Sequence, residues 1–344
     1  MKTRTLRLFI LPLLAFILVL ALFPILFKGK LEEIARAELN KTTGIIISFD
    51  RLSVNAFRHF PNISATLHGL SLNTKDTFDS IASIKQARAA IDLSSILSKT
   101  KPLTITKIII KDASLTFRIL PSGASNFDFI FAERRTPQKP GSLKPGKKKI
   151  SARLSSIVLQ NMNLLWDDQS TALRFFAENL SLMSKGDYNE DWFHLTLAAN
   201  IPKFNFSYGG IDYMQNVKIG ARGLLEMNIS EQTYRMKNGE IRLNELATSL
   251  EAEIRMKEEA MYTDLQFKTK ENSFKSLLSL LPHAYTENFS EVKTEGFFDL
   301  EGSIKGSIDT IPDHFPSVYL RGSIRDGQFN YPDLPLGIMG INAT

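Results

Sequence analysis

The chain has 344 residues, 43% hydrophobic and 23% charged, with no cysteine and a formal net charge of +6. The lack of cysteine excludes disulfide staples, thiolate metal sites and cysteine nucleophiles, and the apolar fraction is too high for a mostly disordered polypeptide. Seven cations (Arg134, Arg135, Lys139, Lys144, Lys147, Lys148 and Lys149) sit in one acid-free stretch, and without them +6 becomes −1; basic residues concentrated in a Pro/Gly-rich segment rather than spread over a folded face argue against a nucleic-acid ligand.

Residues 8–27 are twenty uncharged positions, sixteen of them Leu, Ile, Val or Phe, bounded by Arg7 and Lys28. As a helix they span roughly 30 Å, the thickness of a bilayer's hydrocarbon core. The run ends Phe23-Pro24-Ile25-Leu26-Phe27 without a small-residue cleavage site, so it reads as an uncleaved signal anchor rather than a signal peptide. Leu8, Leu14, Leu20 and Phe27 mark this expected single span. Lys2, Arg4 and Arg7 before it favour a cytoplasmic N-terminus.

Residues 29–44 read as one short helix, with Leu31, Ile34, Ala35 and Leu39 at helical spacing and Gly44 as its stop. Beyond it the apolar period changes to two, as in Ile63 to Leu67, Ala87 to Leu93, Leu195 to Leu197, Phe204 to Tyr208, Leu265 to Lys268 and Phe298 to Ile304. Leu93 to Leu97 and Ser273 to Leu281 alone have helical character. The expectation is a mostly β protein with a few short helices. The division expected is an anchor at 1–28, a first β region at 29–118, a flexible basic loop at 119–149 and continuing β repeats at 150–344. In the loop, Arg134, Arg135, Lys147, Lys148 and Lys149 are candidate contacts to anionic lipid headgroups.

A repeat is present. Ile108-Ile109-Ile110-Lys111-Asp112-Ala113-Ser114-Leu115-Thr116-Phe117 aligns without gaps with Ile157 to Trp166, and a third copy runs from Ile324 to Tyr331. Each copy has an apolar residue, then Asp or Asn two positions on (Asp112, Asn161, Asp326), an apolar residue three further, and an aromatic at the end (Phe117, Trp166, Tyr331). Apolar positions five apart point to opposite faces of a regular strand, so a bulge or tight turn at the Asp or Asn is expected to restore the phase.

Groups that carry chemistry are sparse. His59, His68, His194, His283 and His314 are isolated, Asp167-Asp168 reads as a turn after Trp166, and no P-loop, dinucleotide fingerprint or nucleophile elbow occurs. No catalytic residue, metal ligand or cofactor site is expected.

The anchor, the strand beginning Phe60-Pro61-Asn62-Ile63, the segment Ala87 to Leu97, residues 105–117, Gly123 to Asp128, Ser273 to Pro282 and Asp326 to Pro335 together resemble the AsmA family of Gram-negative envelope proteins, in particular its larger Bacteroidetes members. The resemblance spans essentially the whole chain through diffuse apolar patterns. Members of this type run on beyond such a segment, whereas this sequence stops at Thr344, and the module is expected to be C-terminally incomplete. The family is similar to bridge-like, chorein-type lipid-transfer proteins. The resemblance therefore implies an elongated, curved β-sheet groove and a single-pass inner-membrane protein with its bulk in the periplasm. It implies that phospholipid or another envelope lipid is the partner, in outer-membrane biogenesis and maintenance. An alternative implied by the family is an assembly or targeting factor that binds outer-membrane proteins or their machinery through its sheet edges. Strand alternation alone also suits a closed β-sandwich.

Overall fold

A computed structural model of the chain describes residue 29 and residues 32–33, 45–59, 62–75, 80–98, 100, 102–128, 150–188, 192–257, 260–269, 273, 275–276, 293–308, 316–330 and 337–344. The protein is mostly β, in curved, unclosed antiparallel sheet. By contacts the chain divides into two compact units, one of Met1–Arg118 with Ala124–Leu154, the other of Ile119–Gly123 with Ser155–Thr344. Among the described residues no helix is long and apolar enough to cross a membrane; the candidate span with Leu8, Leu14, Leu20 and Phe27 lies outside them, as do the cations 134–149.

The first unit contains β1 (Ile45–Ser48), β2 (Arg51–His59), β3 (Asn62–Thr74), β4 (Ser80–Asp92), a helix α1 (Leu93–Leu97) and most of β5 (Leu103–Ile119). β3 is shared: its C-terminal half pairs with β1 and its N-terminal half with β2. The change of partner falls at Gly69, which has φ +63°, and a Cβ there would collide with the Asp50 carboxylate, so only glycine suits the turn-back. Phe49, Leu52, Ala56, Ile63, Ile91, Ile96 and Leu103 form the core. Ile96 is delivered to it by α1. Asp92 caps that helix by accepting from the Ser94 N–H at 2.8 Å, and Ser95 Oγ accepts the Thr104 N–H at 3.0 Å, which ties the helix to β5.

The second unit is an antiparallel meander in which each strand pairs with the next: β6 (Ile150–Asp168), β7 (Leu173–Asp187), β8 (Trp192–Tyr208), β9 (Ile211–Asn228), β10 (Thr233–Leu243), β11 (Leu246–Lys257), β12 (Ala260–Thr269), β13 (Lys293–Ile308), β14 (Ser317–Asn330) and β15 (Ile338–Ala343). The turns have the required chemistry. Gly209 and Gly210, with φ +58° and +79°, make the β8–β9 hairpin. At the β10–β11 turn Asn244 has φ +51°, and its Oδ1 accepts from the Lys218 N–H at 2.8 Å. Asp167 and Asp168 are not in a turn as expected; they pair with Arg174 and Leu173, and the turn follows them. Asp168 terminates β6 by accepting from Ser170 and Thr171, whose hydrogen bonds hold its carboxyl below the usual range.

Candidate functional site

The registers of the second unit sort its side chains onto two faces of opposite character. One cross-strand row runs Leu195, Leu225, Met236, Ala252, Leu265, Ile304, each directly opposite the next. A neighbouring row runs Phe193, Met227, Tyr234, Ile254, Thr263. Between these two rows, displaced by one residue and therefore on the other face, lies the row His194, Glu226, Arg235, Glu253, Asp264, Lys305; on that same face, beyond the first row, lie Thr196, Leu224 and Lys237. On this second face Arg235 Nε meets Glu253 at 2.9 Å, Lys237 meets Glu226 at 2.9 Å and Lys305 meets Asp264 at 2.9 Å. One face is apolar and the other is laced with ion pairs.

The apolar face has a consistent reason to be half-buried instead of bare. Substantial contacts within this unit run between hydrogen-bonded neighbour strands among the described elements, so the side chains shelter one another by lying along the sheet. Phe267 lies over Gly302, where a Cβ would come within 2.7 Å of the ring, and Met236 lies over Gly223, where a Cβ would come within 2.6 Å of Sδ. Leu195 and Phe298 reach 3% and 7% exposure in this way, whereas Val318 and Leu320 on β14 are 68% and 62% exposed. Towards β6 the face becomes aromatic: Trp166 stacks on Phe175 at 6.1 Å between centroids and 5° between planes, and Phe175 continues to Phe204 at 6.0 Å.

In each unit, left-handed residues keep the strand faces in phase. Asp112, Asn161 and Asp326 have φ of +52°, +54° and +50°. At Asn161 the pairing passes from Leu159↔Leu182 to Met162↔Leu180, one residue more on β6 than on β7, which is a bulge. Asp326 inserts the same extra residue relative to both β13 and β15. At Asp112 the β4 register is unbroken, with Gln86↔Lys111 and Ile84↔Ala113 on either side. There Gly69 of β3 shares the row and is also left-handed, so adjacent strands are kinked together.

Three further positions do the same and do not belong to the repeat as read from the sequence: Asn179, Asn216 and Asn238, with φ of +57°, +53° and +49°. All six have an apolar residue two before and three after. The left-handed residue itself is exposed in all six. The next residue is buried at Ala113, Met162, Val217, Gly239 and Gly327 and half-buried at Leu180. The signal was available as apolar-x-Asn/Asp-x-x-apolar, but the aromatic at the end of the longer pattern, absent from the three Asn copies, hid it.

Of the other expected positions, Phe117 packs edge-on against Phe127 at 5.6 Å between centroids, and Tyr331 lies outside the described residues. Asn126 holds that loop to β5: its Oδ1 accepts the Arg118 N–H and its Nδ2 donates to the Thr116 carbonyl, both at 2.9 Å. Among the described residues no group of three or more His, Asp or Glu is placed to hold a metal ion. His68 accepts or donates at Ser53 Oγ (2.9 Å) and is pushed below its ordinary pKa by burial and by Arg51 and Arg88. His194 stands 3.8 Å from Glu226 and is well exposed. In comparisons with known proteins, the chain matches no family model, no curated protein and no solved structure.

Proposed function

We propose that this chain is a non-catalytic envelope protein of AsmA type, anchored in the inner membrane by residues 8–27, that holds phospholipid or related acyl chains on the apolar face of its sheet and helps to move them for outer-membrane biogenesis. The observation that carries the reading is the run of directly opposed apolar rows on β8–β13, set against an ion-paired opposite face. Ten strands at about 4.8 Å make a face of roughly 45 Å across the strands, longer than the roughly 15 Å depth of one bilayer leaflet's hydrocarbon. A sixteen-carbon chain exposed to water costs on the order of 12 kcal/mol, and a continuous apolar surface removes most of that barrier. Arg134, Arg135, Lys147, Lys148 and Lys149 supply about 1 kcal/mol each of attraction to an anionic leaflet when close to it.

The test is lipid extraction and native mass spectrometry of the full chain released gently from membranes. Phospholipid retained in defined stoichiometry supports the reading. Lipid-free protein that takes up none from vesicles contradicts it.

A further inference from the structure

We propose that the face accepts acyl chains without selecting their length or unsaturation, because a thioether side chain recurs on each of four consecutive strands across it; this rests on the lipid reading above. Of nine methionines in the chain, four stand on the apolar face of β9–β12, one on each strand. Met227 stands opposite Tyr234, Met236 stands between Leu225 and Ala252, and Met256 is directly opposite Met261.

Methionine used only to fill a core would be enclosed. Here Met256 is 44% exposed and the other three are half-buried on a face that, among the described elements, is contacted substantially only by neighbouring strands. An unbranched side chain with three rotatable bonds and a polarisable sulfur adapts to irregular partners; Val or Ile, stiff at χ1, would present a fixed relief. The backbone beneath supports the same property. Met236 lies across Gly223 and Gly239, where added Cβ atoms would come within 2.6 Å of its Sδ and 2.9 Å of its Cγ, so glycines leave the thioether room to lie flat. A surface that re-packs around its ligand gives up discrimination between similar ligands.

The experiment incubates the detergent-solubilised full chain with vesicles of phosphatidylethanolamine carrying equal amounts of saturated sixteen-carbon and mono-unsaturated eighteen-carbon chains. Mass spectrometry then reads the ratio of the two on the protein. A shape-selective apolar pocket discriminates by about tenfold or more per methylene, whereas the native patch is expected to hold the two within about twofold. Met227→Ile, Met236→Ile, Met256→Val and Met261→Val together, substitutions favourable to strands, should bind comparable total lipid with the ratio skewed at least about threefold. If that variant loses its sheet signal in circular dichroism, the directly opposed pair Met256→Val/Met261→Val is read instead. Strong selection by the native protein, or an unchanged ratio in a folded variant, overturns the proposal while leaving the lipid reading intact. Absence of lipid from the native protein overturns both.

Discussion

The backbone N–H of Asn216, in the left-handed region at φ +53°, donates to Asn205 Oδ1 on the neighbouring strand at 2.9 Å. The same clamp recurs where the Asn179 N–H meets Asn163 Oδ1 at 3.0 Å, the Asn238 N–H meets Glu251 Oε1 at 2.8 Å and the Asp326 N–H meets Asn342 Oδ1 at 3.0 Å. Each bulge frees an N–H from the ladder, and a polar-face side chain of the adjacent strand accepts it. A left-handed non-glycine residue costs about 1–2 kcal/mol, which one satisfied hydrogen bond of about 1 kcal/mol largely offsets.

Removing the acceptor therefore loosens the kink locally. Asn205→Ala should destabilise the protein by about 1 kcal/mol and accelerate hydrogen exchange at the Asn216 amide. Asn216→Gly should cost little, because glycine adopts the same φ. Unchanged exchange at Asn216 in Asn205→Ala would show that the clamp contributes nothing.

His68 makes the first unit sensitive to mild acid. Its pKa lies below the ordinary 6.5 through burial first, then the Arg51 and Arg88 charges, opposed by Asp50. Between the lowered value and 6.5 the unfolded chain binds the proton and the folded one does not, so stability is complete above 6.5 and declines as pH falls through that window. Urea midpoints measured across this range should fall in the native protein and flatten in His68→Gln.

The ion pair of Asp264 and Lys305 acts at the opposite ends of the pH scale. The hydrogen bond from Lys305 is the largest influence holding the Asp264 carboxyl below 3.8, and the same bond raises Lys305 above 10.5. The contribution is thus constant through neutral pH, is lost in acid as pH falls through the depressed carboxyl value, and is lost in base as pH rises through the raised amine value. Carboxyl-carbon NMR of Lys305→Met should show Asp264 titrating at higher pH than in the native protein. Because the pair is solvent-accessible, its loss should hardly alter stability at neutral pH.

Much of the fold was legible in the sequence for a simple reason: strand alternation of period two is strong where one face is apolar and the other charged, as in Leu265 to Lys268. The bulges at Asn161 and Asp326 were legible because a five-residue spacing of apolar positions is incompatible with a regular strand. Asn179, Asn216 and Asn238 share that spacing but were hidden, since they lack the aromatic that closes the longer pattern at Phe117, Trp166 and Tyr331, and the side-chain acceptor that fixes each lies 11 to 16 residues away in the chain. The apolar rows were beyond reach of the sequence for the same reason. That Met236 opposes both Leu225 and Ala252 is a fact of register, and register is set by the turns and bulges together.

Leu224 and Leu225 are chain neighbours on opposite faces of β9, the first opposite Lys237 and the second opposite Met236. A photo-crosslinking amino acid placed at each in turn, in the full chain within cells, followed by lipid analysis of the crosslinked product, tests the lipid reading most directly. Crosslinks to acyl chains from position 225 but not from position 224 are the predicted result; equal labelling from both, or lipid captured only from position 224, would contradict a lipid-bearing apolar face.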